Sequence, residues 1–106
     1  IQIDWNNDAL SIYNKIRGLD PFPGARTTLY LNLEKEEKKL LIYKSDYIVE
    51  KHNNKIGNVI VSDGVLKISC NNGYVIIKEL KVEGKKKMKT RDLLNGFRIS
   101  DNSYVK

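Results

Sequence analysis

The sequence predicts a mainly β fold: a small, partly closed barrel of five to six strands, with a short N-terminal helix and a short C-terminal helix. Five short apolar or alternating segments follow one another between residues 25 and 80, and turn residues separate them. Closely spaced antiparallel strands must cover their edges, and barrel closure does this. At 106 residues the chain is long enough for one hydrophobic core, so we expect residues 1–106 to form a single domain.

The first element is an amphipathic helix predicted over residues 7–17, NDALSIYNKIR. Its apolar side chains recur at helical spacing and are expected on one buried side: Ala9, Leu10, Ile12, Tyr13 and Ile16. Asn7 or Asp8 is suited to cap its start. The segment GLDPFPG, residues 18–24, ends the helix, because Gly18 is able to adopt a left-handed cap conformation and the prolines cannot continue a helix.

The five predicted strands are residues 25–33, 38–50, 58–62, 65–70 and 74–80. The charged segment 34–37 is expected to be a turn. Asp63-Gly64 is a strong two-residue hairpin signal, and NNG at 71–73 joins the last two strands.

A second short helix is predicted near the C-terminus. Thr90 is suited to its N-cap position and Asp92 to its first turn. Leu93, Leu94 and Phe97 form the apolar side of this helical turn.

Residues able to carry catalysis are scarce. The one histidine, His52, lies in a polar connection and is expected to be a solvated loop residue. No Gly-rich loop joins a strand to a helix as phosphate-cradling motifs require, and no His, Cys and carboxylate residues have metal-ligand spacing. We therefore expect no active site, cofactor or metal in this chain.

The single cysteine, Cys70, is expected to be a small strand residue in a reduced, cytoplasmic protein. No apolar segment reaches the ~18 residues that a membrane-spanning helix needs, so we expect no membrane partner. The chain begins at Ile1 without an initiator Met, and we expect it to be a fragment of a longer chain.

Positive charge is concentrated in one segment. The formal net charge is +6, and residues 78–91 contain seven Lys and Arg against two Glu. Concentrated positive charge is typical of a surface that binds a polyanion such as nucleic acid. The main candidates are Lys85, Lys86, Lys87, Lys89 and Arg91. Burial of Met88, the one apolar residue among them, is expected to turn the lysines outward together; the alternative is a solvated loop that only aids solubility.

Four further cations are weaker candidates: Arg17, Arg26, Lys78 and Lys81. Strict strand alternation places Lys78 and Lys81 on opposite faces of their strand, so a single basic stripe along it is not expected. Arg17 and Arg26 flank the proline turn, where each is also able to pair with an aspartate.

Four stretches of the sequence, in order, resemble one protein family. They are IDW at 3–5, IRGLDPFPGA at 16–25, DG before a strand at 63–64, and LKVEGKKKM with DLLNG within 80–96. This pattern resembles the C-terminal domain of methionyl-tRNA formyltransferase, and it covers nearly the whole chain. The proline turn is shared with formyltransferases that modify nucleotide sugars, whereas the last segment is more particular to the tRNA enzyme.

The resemblance implies an oligonucleotide/oligosaccharide-binding (OB)-like barrel, joined in the parent enzyme to an N-terminal catalytic domain that is absent from this chain. In such enzymes the N-terminal domain uses 10-formyltetrahydrofolate to formylate Met-tRNA, and the barrel holds the tRNA. The expected partners are therefore tRNA, namely initiator Met-tRNA, and the N-terminal catalytic domain. The lysines of residues 85–89 fall in the matching segment and are expected to contact phosphates, while no catalytic residue carries over.

Two alternatives stay open at this point. One is the C-terminal domain of a sugar-nucleotide formyltransferase, in which the barrel packs against the substrate cleft and shapes it. The other is a purely structural barrel whose lysines are solvated.

Overall fold

Strands dominate the computed structural model, which describes residues 1–31 and 33–106. In chain order the elements are α1 (Ala9–Leu19), β1 (Ala25–Leu31), β2 (Glu36–Val49), β3 (Val59–Ser62), β4 (Val65–Cys70), β5 (Gly73–Val82), β6 (Met88–Lys89), α2 (Thr90–Gly96) and β7 (Tyr104–Val105). The five predicted strands are confirmed as β1 to β5. Position 32, inside the first predicted strand, lies outside the described residues. The strands β6 and β7 have two residues each and are too short to leave a pattern in the sequence.

The strands form one antiparallel sheet that nearly closes on itself. Its order is β3-β4-β5-β2-β1-β7, and β6 pairs with β5. The two ends of this order meet where Val59 N–H donates to Ser103 O at 3.0 Å and Val105 N–H donates to Gly57 O at 2.8 Å. The predicted mainly β, OB-like barrel with one helix near each end is therefore confirmed.

The barrel interior takes alternate residues of β1. Ala25, Leu29 and Leu31 are buried while Arg26 is exposed. Thr27 also points inward, and its Oγ1 accepts a 2.9 Å hydrogen bond from the buried indole Nε1 of Trp5. The N-terminal segment therefore packs into the same core as the strands.

Helix α1 lies against β2 and begins at an Asp8 cap. The Asp8 carboxylate accepts a 2.8 Å hydrogen bond from Ser11 N–H, as an N-cap aspartate should. Ala9, Ile12 and Ile16 are buried, but Leu10 is 46% exposed, so its predicted burial is wrong. The three buried residues are spaced i, i+3 and i+7 and lie on one face of the helix. Leu10, the residue after Ala9, is therefore rotated away from that face.

The end of α1 differs from the prediction. Gly18 lies inside the helix, and the left-handed conformation occurs instead at Gly24, with φ +84°. The helix ends at Leu19 because Asp20 is extended and precedes Pro21. Gly24 N–H then donates to Leu19 O at 2.9 Å, which returns the chain to the barrel.

Helix α2 is confirmed, but its predicted cap is wrong. Thr90 is the first helical residue, and its buried hydroxyl donates to Ile77 O at 2.8 Å instead of capping the helix. Lys89 occupies the N-cap position without a side-chain cap bond. Asp92 lies in the first turn as expected, and Leu93 is buried. Thr90 thus fixes the start of α2 against β5.

Candidate nucleic-acid interface

A hairpin carries the concentrated positive charge. We call residues 82–89 the lysine hairpin; it leaves β5 at Val82, turns through Gly84 at φ +84°, and returns as β6 beside β5. Lys85 N–H donates to Val82 O at 2.8 Å and closes the turn. Met88 pairs with Leu80 in register and packs, partly buried, against the core. The methionine therefore holds the hairpin to the barrel, as its pattern predicted.

The cations of this segment are exposed but do not form a single cluster. The lysines were predicted to face outward, and all five main candidates are exposed: Lys85, Lys86, Lys87, Lys89 and Arg91. Lys85 Nζ lies 5.7 Å from the centroid of the Phe97 ring, on the α2 side. Lys87 Nζ lies 4.3 Å from the centroid of the Tyr43 ring, on the β2 side, and 3.4 Å from Glu79 Oε1. The hairpin lysines therefore face outward, while Lys85 and Lys87 lie over different aromatic rings.

One groove joins three of the candidates. We call the open groove of about 470 Å³ between β5 and the start of α2 the α2 groove; Lys78, Lys89 and Arg91 line it. Asp92 also lines it and supplies one negative charge. The α2 groove therefore combines cations that the sequence separates by up to thirteen positions.

A second groove lies on the other side of the hairpin. We call it the outer groove; it is open, has a volume of about 480 Å³, and crosses the outer face of β1, β2 and β5 from Gln2 to Gly84. Two weaker candidates, Arg26 and Lys81, line it together with Lys39. The sequence does not single out Lys39, because it lies in a segment of mixed charge and only the pairing of β2 with β5 brings it into the same groove as Lys81.

A bulge explains the positions of Lys78 and Lys81. The register of β2 and β5 shifts between Ile42 and Ser45, so Ile77 and Leu80 are both buried although they are three positions apart, an odd number. Strict alternation along β5 is therefore wrong, because a bulge reverses the faces of the residues that follow it. Lys78 and Lys81 are both exposed, and they line different grooves.

Arg17 is not brought to either groove. Its guanidinium donates to Asn14 Oδ1 at 3.0 Å and lies 5.8 Å from the centroid of the Tyr13 ring. Asp20, a possible partner of the arginines, instead pairs with Lys44 at 2.6 Å. Arg26 lines the outer groove and Arg17 does not, although both flank the same turn.

His52 and Cys70 have structural roles. His52 was expected to be solvated, but it is half-buried: Nδ1 accepts from Asn54 N–H at 3.0 Å, and Nε2 is 2.8 Å from Cys70 O. Cys70 is fully buried in β4, and burial raises the pKa of its thiol.

Within the described ranges, no three His, Cys, Asp or Glu residues are arranged to hold a metal ion. Neither helix of that part has the length and apolar character that a membrane crossing needs.

Comparison with known proteins gives the family. The model of the family described as "Formyl transferase, C-terminal domain" matches residues 1–98. This chain belongs to that family. The resemblance seen in the sequence motifs is confirmed.

Two relatives of this formyl transferase C-terminal domain have the same name. Methionyl-tRNA formyltransferase of Bacteroides thetaiotaomicron is 40% identical over 102 residues, which cover 94% of this chain and 31% of that protein. The enzyme of the same name from Flavobacterium johnsoniae is 36% identical over 104 residues, covering 98% of this chain and 32% of that protein. The domain thus spans about a third of the length of these relatives.

A solved structure has a similar fold. HypX from Aquifex aeolicus, in a crystal structure with tetrahydrofolic acid, matches with a TM-score of 0.60 and 27% identity over 91% of this chain and 16% of HypX. The domain therefore resembles part of HypX, whereas the relatives described above are named methionyl-tRNA formyltransferase.

Proposed function

We propose that this chain is the noncatalytic C-terminal domain of a cytoplasmic methionyl-tRNA formyltransferase. In this proposal it holds initiator Met-tRNA by phosphate contacts, while an N-terminal catalytic domain of the same chain transfers the formyl group from 10-formyltetrahydrofolate. The names of the relatives support the parent activity.

One observation carries the tRNA-binding role. Residues 78–91 contain seven cations, all exposed, and in the described residues only Lys87 among them pairs with a carboxylate. The other six are therefore free to contact an external anion. They surround the lysine hairpin and the α2 groove, apart from Lys81 in the outer groove.

Lysine suits contacts with the RNA backbone. An ammonium group binds phosphate as a point charge and does not select a base. Double-stranded RNA hides its base edges in a deep, narrow major groove, so a small barrel that meets it reads shape and phosphate positions. We expect this domain to bind tRNAs with little discrimination, and the choice of initiator tRNA to depend on the catalytic domain.

The test is tRNA binding by the 106-residue chain across a salt series. We compare the wild type with a triple variant, Lys85→Ala, Lys86→Ala and Lys89→Ala, and with a charge-matched control, Lys35→Ala, Lys51→Ala and Lys55→Ala. These control lysines are exposed and lie outside both grooves. The hairpin variant should lower the slope of log affinity against log salt by about 2 to 3, and the control should leave it nearly unchanged.

Two results would contradict the proposal. Equal binding by both variants would mean that the hairpin lysines are solvated. A variant that loses only initiator tRNA would mean that the hairpin reads sequence.

An alternative gains if the wild type binds no tRNA at all. The domain would then pack against and shape a substrate cleft, as in a sugar-nucleotide formyltransferase. One observation favours this alternative: the domain is similar to part of HypX, a protein whose name does not mention tRNA. Formylation of a nucleotide sugar by the full-length parent would support it.

A further inference from the structure

The outer groove is a second cationic surface, separate from the α2 groove. Its cations are Arg26 on β1, Lys39 on β2 and Lys81 on β5. All three are exposed, and Leu41, which is half-buried, also lines the groove. The groove ends at Gly84, where the lysine hairpin turns.

Strand register brings these charges together. Arg26 is directly opposite Leu41, and Leu41 is directly opposite Lys81, so the three residues form one row across three strands. Lys39 is two residues from Leu41 on the same strand and therefore points to the same face. With neighbouring strands about 4.8 Å apart, Arg26 and Lys81 are about 10 Å apart at their backbones.

The three charges are available to a ligand. In the described residues the ion pairs are Lys44 with Asp20 and Lys87 with Glu79, so none of the three is paired with a carboxylate. The carboxylate at the groove edge belongs to Glu83, whose Oε1 accepts a 2.9 Å hydrogen bond from Lys39 N–H. Glu83 is held by the backbone and reduces the positive potential of the groove.

We propose that the outer groove binds RNA phosphates through Arg26, Lys39 and Lys81, so that a tRNA held at the lysine hairpin continues across β5, β2 and β1. This inference rests on the proposed function and adds a second contact surface to it. A cationic groove with an open end tracks a nucleic-acid backbone well, because successive phosphates meet successive charges. The shared border at Gly84 makes the path continuous with the hairpin.

The test compares three variants of the 106-residue chain, with purified tRNA as the probe. The groove variant is Arg26→Gln, Lys39→Gln and Lys81→Gln. The control is Lys35→Gln, Lys51→Gln and Lys55→Gln, which removes the same charge from exposed positions outside the groove. If the groove contacts phosphates, its variant lowers the slope of log affinity against log salt by about 2 to 3. Over a fourfold range of salt, the ratio of low-salt to high-salt tRNA affinity then falls about 16- to 64-fold, and the control leaves this ratio nearly unchanged.

Glu83→Gln provides a gain-of-binding test at the same place. Glutamine keeps an acceptor for Lys39 N–H but removes the negative charge from the groove edge. We expect tRNA affinity to rise about two- to fivefold at low salt, with the gain abolished in the groove variant. Because this outcome is an increase, misfolding of a variant cannot produce it.

The outcomes separate this inference from the proposed function. If the hairpin variant loses binding while the groove variant equals its control, the inference is overturned and the tRNA-binding role stands. If the wild type binds no tRNA, both are overturned. If the groove variant weakens binding of a single-stranded oligonucleotide but not of tRNA, the groove is no part of the tRNA path and the inference is again overturned.

Discussion

Lys87 Nζ lies 4.3 Å from the centroid of the Tyr43 ring and 3.4 Å from Glu79 Oε1. Of the cations in the lysine hairpin, it is the one that the described residues engage with both an aromatic face and a carboxylate. To bind a phosphate it would have to give up an exposed ion pair and a cation–π contact, each worth at most about 1 kcal/mol. This engagement distinguishes it from its neighbour Lys86.

We therefore expect Lys87→Gln to affect tRNA binding less than Lys86→Gln. Lys86 has no partner in the described structure, so its loss should lower the salt slope by about 0.7 to 0.9, and the loss of Lys87 by less than half of that. Salt-dependent titration of each single variant measures the difference. In a Glu79→Gln background the two effects should become more alike, because only the Tyr43 contact then restrains Lys87. Equal effects in the wild type would show that neither Glu79 nor Tyr43 restrains Lys87.

Thr27→Val should destabilise the fold by about 1 to 3 kcal/mol, although the side chain keeps its size. The Thr27 hydroxyl accepts from Trp5 Nε1 at 2.9 Å and donates to Lys106 O at 2.9 Å. Valine leaves the buried Trp5 N–H without a partner, whereas Lys106 O keeps the bonds from Thr28 N–H and Gln2 Nε2. Thr28→Val, on the outer side of the same strand, is the control and should change the free energy of unfolding by no more than about 0.5 kcal/mol. Urea denaturation measures both; similar values would mean that the buried hydrogen bonds contribute little.

Gly57→Ala should cost more stability than Gly64→Ala, although both glycines have positive φ, +86° and +77°. A Cβ at Gly64 meets nothing within 4 Å, so only backbone strain of about 1 to 2 kcal/mol is expected. A Cβ at Gly57 would lie 2.5 Å from Val105 O, whose chain closes the barrel against Gly57. Thermal unfolding of the two variants compares the costs, and equal costs would argue against tight closure at this point.

The Asp8 cap should make stability depend on pH in the acid range. Hydrogen bonds from the Ser11 main-chain N–H and hydroxyl hold the pKa of the Asp8 carboxyl below its usual range. A carboxyl with a lowered folded pKa contributes stability that is fully present above about pH 4, its unfolded pKa, and that is lost as pH falls through the folded pKa. Asp8→Asn keeps a capping oxygen that does not titrate, so the loss of stability below pH 4 should be smaller than in the wild type. Identical urea midpoints for the two proteins from pH 5 to pH 2 would contradict this account.

Local signals predicted the elements of the barrel well. The Asp63-Gly64 turn joins β3 to β4 as its composition indicates, with φ of +52° and +77° at the two residues. The helical spacing before the proline turn predicted α1, and Asp8 caps it. These features depend on a few neighbouring residues, so the sequence is sufficient to predict them.

Predictions that depended on distant partners were less successful. Thr90 has the composition of an N-cap, but its hydroxyl bonds to Ile77 O in another strand. Leu10 has helical spacing, but the barrel meets the stripe of Ile12 and Ile16 instead. In each case a contact between residues far apart in the chain outweighs the local preference.

The sequence by itself determined that this chain is a mainly β barrel of the formyl transferase C-terminal family, with its positive charge concentrated around one hairpin. Strand patterns, turn residues and family motifs are local features, so they are readable from neighbouring residues without knowledge of the packing. Only the tertiary structure decided how the positive charges are divided between the α2 groove and the outer groove. The bulge between β2 and β5 leaves both Lys78 and Lys81 exposed, the two lysines line different grooves, and strand register adds Arg26 and Lys39 to the groove of Lys81. Register is fixed by pairing between segments that are distant in the chain, so no single segment contains the information that assigns these cations to a common surface.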